Sequence, residues 1–251
     1  MLLEFLFAAA LSQTPAQDSI RDFTIRRMDF VLFHQEIDPE NVSRLSRILG
    51  EGEILDVQSP GGDIWATIDM ARLVRERRAR VRTTAECSSG CAIVWVTARE
   101  RMVDGFTAIT FHGNPISSLA WMRANPGTMR DEEIRFAESS AAALTAVLDE
   151  ARIQPWLFLC ANRLQNQVHT VRPDLTLPTS ERFTSTEDYH LVWFPRSILE
   201  AAGVRHLDSY DEPNARQRQA IETEQGTRRV PKRIYWAKDG DCDIDREASA
   251  G

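Results

Sequence analysis

Apolar runs alternate with polar or glycine-rich turns along the first half of the chain. Four of these runs have the length of strands: residues 30–33, 53–57, 80–85 and 107–111. Two segments between them, residues 39–49 and 64–74, carry apolar residues at helical spacing. A third, residues 90–98, is strongly apolar and fits a helix buried on most sides, although its β-branched residues would also suit a strand. Asp38 and Asp63 stand where helix N-caps are expected, and Gly50 stands where the first helix should end. The order β-α-β-α-β-α-β predicts an α/β fold, with a parallel sheet, right-handed crossovers and flanking helices.

The second half of the chain is richer in helix signals and in loops. Residues 131–152 form a long amphipathic pattern whose apolar face must bury against the core or against a second subunit. The remaining predicted segments are a loop at 114–128, a short helix at 155–164, a loop at 172–188, an apolar run at 191–194 and a final helix at 197–202. We therefore expect one α/β domain over residues 20–210 and a polar, weakly ordered tail over residues 211–251.

The composition narrows the function classes. The chain has 251 residues, 43% of them hydrophobic, so it can bury a core without help from a metal. Its formal net charge of -7 argues against a nucleic-acid-binding surface. The sequence has no phosphate-binding loop, no dinucleotide-binding fingerprint and no Cys-x-x-Cys pair. We expect no cofactor, and the missing cysteine pair argues against a zinc ribbon.

The N-terminal segment, residues 1–18, is apolar at first and polar afterwards. It is too short to span a bilayer, and Glu4 interrupts it, but small residues follow where a signal peptide would end. A signal or anchor and a packed N-terminal helix are both consistent with it. A signal or anchor predicts a periplasmic or membrane-associated protein, whereas a packed helix is consistent with a cytoplasmic protein.

The candidate catalytic residues lie where three predicted strands end. A Gly-Gly turn follows the second strand, Ser89 follows the third, and His112 follows the fourth. A serine hydroxyl needs a base and a set of oxyanion donors to act as a nucleophile. His112 is the candidate base, and the N–H groups of Gly62 and Gly90 are the candidate donors.

The four cysteines leave several interpretations open. Cys87 and Cys91 flank Ser89, whereas Cys160 and Cys242 are isolated in the sequence. The flanking pair fits small buried side chains, a disulfide with each other or with the distant cysteines, or metal ligation together with His112.

Three motifs of the chain resemble those of the Clp protease proteolytic subunit family, within the ClpP/crotonase fold. They are Ser59-Pro60-Gly61-Gly62, Ser89-Gly90-Cys91-Ala92 and Phe111-His112-Gly113-Asn114-Pro115. The resemblance implies a parallel sheet of stacked β-α units and a serine-type endopeptidase that forms an acyl-enzyme on Ser89 with His112 as general base. It also implies a peptide or protein substrate and a homo-oligomer in which the 131–152 helix packs between subunits. The Cys-x-Ser-x-Cys setting resembles a subgroup of this family that is often exported.

The chain departs from the family pattern at three points. Gly113 follows the histidine where the family has glutamine, and the position of the family's aspartate falls near Leu191 or Val192. Asp188 is the nearest carboxylate in the sequence and is the candidate third member of the triad. Nothing corresponds to the loops with which the family docks its ATPase, so an ATPase partner is doubtful. The alternatives are a catalytically impaired binding or assembly protein of the same fold and a crotonase-like enzyme that acts on an acyl thioester.

Overall fold

A computed structural model describes residues 23–26, 30–104, 107–165, 168–171, 183–186, 191–207, 209–226 and 233–250. The strands are β1 (Phe23–Arg26), β2 (Phe30–His34), β3 (Ile54–Gln58), β4 (Arg80–Thr83), β5 (Cys87–Ser88), β6 (Glu100–Val103), β7 (Ile109–Phe111), β8 (Val168–Val171), β9 (Phe183–Thr186), β10 (Leu191–Trp193) and β11 (Ile234–Trp236). The helices are α1 (Pro39–Ile48), α2 (Ile64–Glu76), α3 (Gly90–Thr97), α4 (Pro115–Ala124), α5 (Asp131–Ala151), α6 (Trp156–Leu164), α7 (Arg196–Ala201), α8 (Ala215–Gly226) and α9 (Asp243–Ala250). The chain therefore has the mixed α/β architecture that the sequence predicts.

The first sheet contains five strands in the order β1-β2-β3-β4-β6. Strands β2, β3, β4 and β6 are parallel to their neighbours, and β1 pairs with β2 in the antiparallel sense at the edge. Parallel neighbours require crossover connections, and α1, α2 and α3 supply them. The carboxyl ends of β2 and β3 consequently lie at the same edge of the sheet.

A second sheet of four strands has the order β11-β10-β7-β5. Strand β5 runs parallel to β7, whereas β10 runs antiparallel to β7 and parallel to β11. A parallel bridge between Ser59 and Cys87 joins the end of β3 to the start of β5. This bridge brings the turn after β3 next to the turn after β5. The sequence predicts a single sheet, whereas the described residues form three, the third being the two-stranded sheet of β8 and β9.

Helix ends follow the sequence signals closely. Asp38 accepts a hydrogen bond from Asn41 N at 2.8 Å, with Pro39 at the first position of α1, and Asp63 accepts one from Ala66 N at 2.8 Å at the start of α2. Both predicted N-caps are thus confirmed. A carboxylate at this position pairs an orphan N–H group and complements the helix dipole.

Helix α3 lies at the centre of the core, and all eight of its residues are buried. Its C-terminal carbonyls are satisfied by Arg101, whose guanidinium donates to Trp95 O at 3.2 Å and to Val96 O at 3.1 Å. Burial lowers the pKa of Arg101 to about 10. This arginine lies in β6, so the sheet and the end of the central helix are fixed to each other.

The structure differs from the sequence expectation at two segments. The expected loop at 114–128 contains α4, because Asn114 forms a capping box with Ser117 and Pro115 occupies the first helical turn. The region after 210, expected to be weakly ordered, contains α8, β11 and α9. It is held by pairing of β11 with β10 and by a disulfide between Cys160 and Cys242, two long-range contacts that local polarity does not reveal.

Residues 1–18, the predicted signal or anchor, lie outside the described residues. Among the residues that are described, no helix is both long enough and apolar enough to cross a membrane.

Candidate active site

Ser89 occupies a sharp turn between β5 and α3. Its backbone has φ 56° and ψ -120°, a conformation that residues with a side chain rarely adopt. The turn is fixed on both sides, because Ser89 N donates to Thr110 O at 3.0 Å and Ile93 N donates to Ser89 O at 3.2 Å. Ser89 is half-buried, and its side chain makes no capping hydrogen bond to the helix that follows. Strained backbone of this kind at a strand-to-helix turn is typical of nucleophilic serines.

Gly61, from the turn after β3, approaches Ser89 directly. A Cβ atom on Gly61 would lie 2.5 Å from Ser89 Cβ, 2.9 Å from Ser89 Oγ and 2.8 Å from Gly90 N. Gly61 also has φ +101°, which favours glycine. Sequence reasoning singled out Gly62 and missed Gly61, because two adjacent glycines carry the same signal until the turn's geometry is known.

The predicted oxyanion donors lie on either side of this contact. Gly62 is exposed, has φ +151°, and packs its Cα against Ile37, where a Cβ would lie 2.2 Å from the carbonyl oxygen. Gly90 is the first residue of α3, and a Cβ there would lie 2.3 Å from Thr67 Oγ1. Close packing therefore requires glycine at both positions. Helix N-terminal N–H groups such as that of Gly90 lack a partner within the helix, so they suit a developing negative charge.

A disulfide between Cys87 and Cys91 encloses the serine turn. The two Cα atoms are 5.0 Å apart and both cysteines are fully buried. Cys87 belongs to β5 and Cys91 to the first turn of α3, so the bridge spans the turn rather than a regular helix. Of the interpretations that the sequence left open, the disulfide is therefore the one found, and neither cysteine is available to ligate a metal.

His112 follows β7 at the same edge as Ser89. The register pairs Cys87 with Ile109 and Ser88 with Thr110, so Ser89 and His112 each leave the carboxyl end of one of two neighbouring parallel strands. The pair Ser88–Thr110 is also joined by a hydroxyl–hydroxyl hydrogen bond of 2.7 Å. The two turns that carry the predicted nucleophile and the predicted base are thereby brought to one edge of the second sheet.

The position expected for an orienting acid is apolar. Strand β10 pairs Val192 with Phe111, which sets Leu191 opposite His112 in the register. Leu191 is buried and has no group that can bond to an imidazole. Asp188, the candidate third member, lies outside the described residues, and its role stays a prediction.

A cleft of about 510 Å³ opens between α4 and α5, beside the turn that carries His112. Its walls are mostly apolar and include Pro115, Met122, Met129 and Phe136. Asn114 and Pro115, two and three residues beyond His112, line it, whereas Ser89 and His112 do not. Its volume is in the range of pockets that hold small ligands or single side chains.

A second cluster of charged groups lies away from the serine turn, on β2, β3 and β4. Asp56 accepts from Arg82 at 2.6 and 3.0 Å and faces His34 Nε2 at 3.4 Å. Burial alone would raise the pKa of Asp56, but the hydrogen bonds from His34 and Arg82 outweigh it and hold that pKa below its usual value. Each of these groups has a partner within the cluster, which indicates a structural ion-pair network. Within the described ranges, no group of three or more His, Cys, Asp or Glu side chains is arranged to hold a metal ion.

Comparisons with known proteins show a distant structural likeness. No family model matches the chain, and no curated protein matches it. Among solved structures, it is similar to a mutant of ClpP1 from Listeria monocytogenes, with a TM-score of 0.35 and 16% identical residues over 49% of this chain and 72% of that one. A likeness at this level gives no evidence about chemistry.

Proposed function

We propose that the chain is a ClpP-like serine peptidase that forms an acyl-enzyme on Ser89. The observation that carries this proposal is the left-handed backbone of Ser89, enclosed by a disulfide and in contact with Gly61. Such strain costs about 1–3 kcal/mol and tends to persist at functional sites. An ordinary turn at this position would have glycine or asparagine, which adopt positive φ more readily.

The proposed reaction uses groups of this chain throughout. His112 accepts the proton of Ser89 Oγ as the oxygen attacks a peptide carbonyl carbon, and the N–H groups of Gly62 and Gly90 stabilise the resulting oxyanion. The tetrahedral intermediate collapses when the scissile C–N bond breaks, and the protonated imidazole gives its proton to the leaving amine. A water molecule, deprotonated by His112, then hydrolyses the ester and restores Ser89.

The surroundings support a peptide substrate with a bulky apolar side chain. The cleft between α4 and α5 is lined by Asn114, two residues beyond His112, and by methionine and phenylalanine side chains. Trp65 and Phe136 form an exposed edge-to-face pair with ring centroids 6.4 Å apart, which supports assembly of the chain as a homo-oligomer through α5.

The two disulfides support an oxidising, exported location such as the periplasm.

A second candidate is a non-catalytic binding protein of the same fold. The observation that favours it is the buried Leu191 opposite His112, where a carboxylate would orient the imidazole. Loss of the orienting acid lowers kcat by about 10⁴-fold in serine proteases without abolishing the chemistry. The proposed peptidase is therefore expected to be slow unless another group orients His112.

A fluorophosphonate probe tests the proposal without knowledge of the natural substrate. The probe should phosphonylate Ser89, and peptide mass spectrometry should locate the adduct there. Ser89→Ala should lose the adduct completely, and His112→Ala should slow its formation strongly. Ser88→Ala is a matched control, since Ser88 is adjacent but buried against Thr110. Absence of any adduct on the folded wild-type protein would support the binding-protein candidate instead.

A further inference from the structure

The turn that carries His112 is held by a buried amide side chain from another element. Gln165, which directly follows α6, accepts a hydrogen bond on its Oε1 from Gly113 N at 2.8 Å. Gln165 is only 1% exposed, so this bond is made away from competing water. Gly113 is the residue after His112, and its N–H belongs to the peptide unit that His112 itself begins. The position of this peptide sets the direction in which the imidazole leaves the backbone.

Helix α6 also contacts the turn that carries His112. Asn114 Nδ2 donates to Phe158 O at 3.4 Å and to His112 O at 3.5 Å. The ring of Phe158 packs edge-on against Phe111, with centroids 5.9 Å apart. Phe111, which precedes His112, and Asn114, two residues after it, thus both contact α6, in addition to the pairing of β7 within its sheet.

Helix α6 is itself anchored to the C-terminal region. Cys160 forms a disulfide with Cys242, and Arg163 donates to Asp245 of α9 at 2.8 and 3.0 Å. A side chain presented from an element tethered in this way holds its partner more closely than one on an isolated loop. Gln165 therefore has the rigid support that positioning a catalytic group requires.

We propose that Gln165 is a positioning residue for His112, acting through the peptide N–H of Gly113; this inference rests on the proposed function. Leu191 occupies the register position opposite His112, so the strand next to it supplies no carboxylate there. In this chain, the fixed backbone of the histidine turn partly replaces the orienting effect that a carboxylate would have on the imidazole ring. A displacement of about 1 Å at a catalytic group can cost about 10²-fold in rate, so the loss of this acceptor should be measurable.

The test is the second-order rate of Ser89 phosphonylation, followed across roughly pH 5 to 9, where histidine titrates. Gln165→Met keeps the length of the side chain but removes the acceptor, and its rate should fall about 10- to 100-fold at every pH. Gln165→Glu keeps an acceptor at the same place and should retain the wild-type rate where His112 is neutral. Gln154→Met changes an exposed glutamine at the other end of α6 and is the matched control.

Two further measurements separate positioning from loss of structure. Amide hydrogen exchange at Gly113 should accelerate in Gln165→Met and stay slow in Gln165→Glu. If Gln165→Met does not fold, Gln165→Asn, one methylene shorter, withdraws the acceptor while keeping a polar amide and should show the same fall in rate.

The outcomes distinguish this inference from the function on which it rests. Wild-type labelling together with an unchanged rate in Gln165→Met, or in Gln165→Asn if the methionine variant does not fold, would overturn the role of Gln165 and leave the peptidase proposal standing. Equal slowing in Gln165→Met and Gln165→Glu would also overturn it, because the acceptor would then not be the relevant feature. No labelling of the wild type at any pH would overturn the proposed function and this inference with it.

Discussion

The strained backbone of Ser89 gives a prediction about stability that needs no substrate. Ser89→Gly and Ser89→Ala both remove the hydroxyl, but only the glycine variant also removes the Cβ atom that disfavours φ 56° and ψ -120°. The strain is worth about 1–3 kcal/mol, and glycine returns about 0.5–1 kcal/mol through the greater entropy of its unfolded state. The difference of these two ranges is about 0–2.5 kcal/mol, so Ser89→Gly should be more stable than Ser89→Ala by about 1 kcal/mol.

Urea unfolding followed by circular dichroism, with the disulfides kept oxidised, measures this difference. In thermal unfolding, the same free energy raises the Tm of a chain of this size by a few degrees, at roughly 2–4 °C per kcal/mol. Ala142 supplies the control, because it is exposed in the middle of α5, where glycine costs about 1 kcal/mol relative to alanine. The order of glycine and alanine should thus be reversed between the two positions.

A Ser89→Gly variant no more stable than Ser89→Ala would refute the reasoning. It would mean that Ser89 does not hold a strained conformation in the folded protein. The comparison with nucleophilic serines would then lose its basis, even if the fold is otherwise as described.

Three other changes test separate parts of the structure. Gly61→Ala should abolish phosphonylation of Ser89 in a folded protein, since the new Cβ would lie 2.5 Å from Ser89 Cβ; an unchanged labelling rate would contradict the close approach. The double variant Cys160→Ser, Cys242→Ser loses a cross-link over 82 residues, worth about 4.5 kcal/mol in the chain-entropy model, so calorimetry should show a Tm lower by roughly 9–18 °C, and an unchanged Tm would argue against the bridge. The lowered pKa of Asp56 means that its carboxylate contributes stability above its unfolded pKa near 3.8, which is lost as the pH falls through the lower folded value. The gap in urea midpoint between wild type and Asp56→Asn should therefore narrow from neutral to acidic pH, and a gap that stays constant would show that the ion pair does not matter.

Local signals in the sequence were sufficient to predict the helices that carry them. Asp38 and Asp63 mark the starts of α1 and α2, because a carboxylate just before an apolar helical pattern has few other uses. The apolar run that forms α3 is uniform around the helix, and a buried helix requires that. The sequence predicts that Ser89 and His112 lie at one edge of a single parallel sheet, whereas they leave β5 and β7 at one edge of a second sheet, and β5 was not predicted.

Features that depend on distant contacts could not be predicted in this way. Strand β6 contains Arg101, which is buried because the carbonyls at the end of α3 receive its guanidinium, and nothing near Arg101 in the sequence announces that partner. Cys160 and Cys242 are 82 residues apart, so neither their pairing nor the order it gives to the C-terminal region is visible locally. The hydrogen bond between Gln165, the residue after α6, and the histidine turn is likewise a distant contact that the local sequence does not show.

The central claim is that the serine turn, the histidine turn and the glycine turn form one reaction centre. A crystal structure of the phosphonylated protein tests it most directly, because the phosphoryl oxygen stands in for the oxyanion of the tetrahedral intermediate. The account predicts that this oxygen lies about 2.7–3.1 Å from the N–H groups of Gly62 and Gly90, with the imidazole of His112 facing the Ser89 oxygen. A phosphoryl oxygen directed into solvent, with His112 turned away from Ser89, would contradict it.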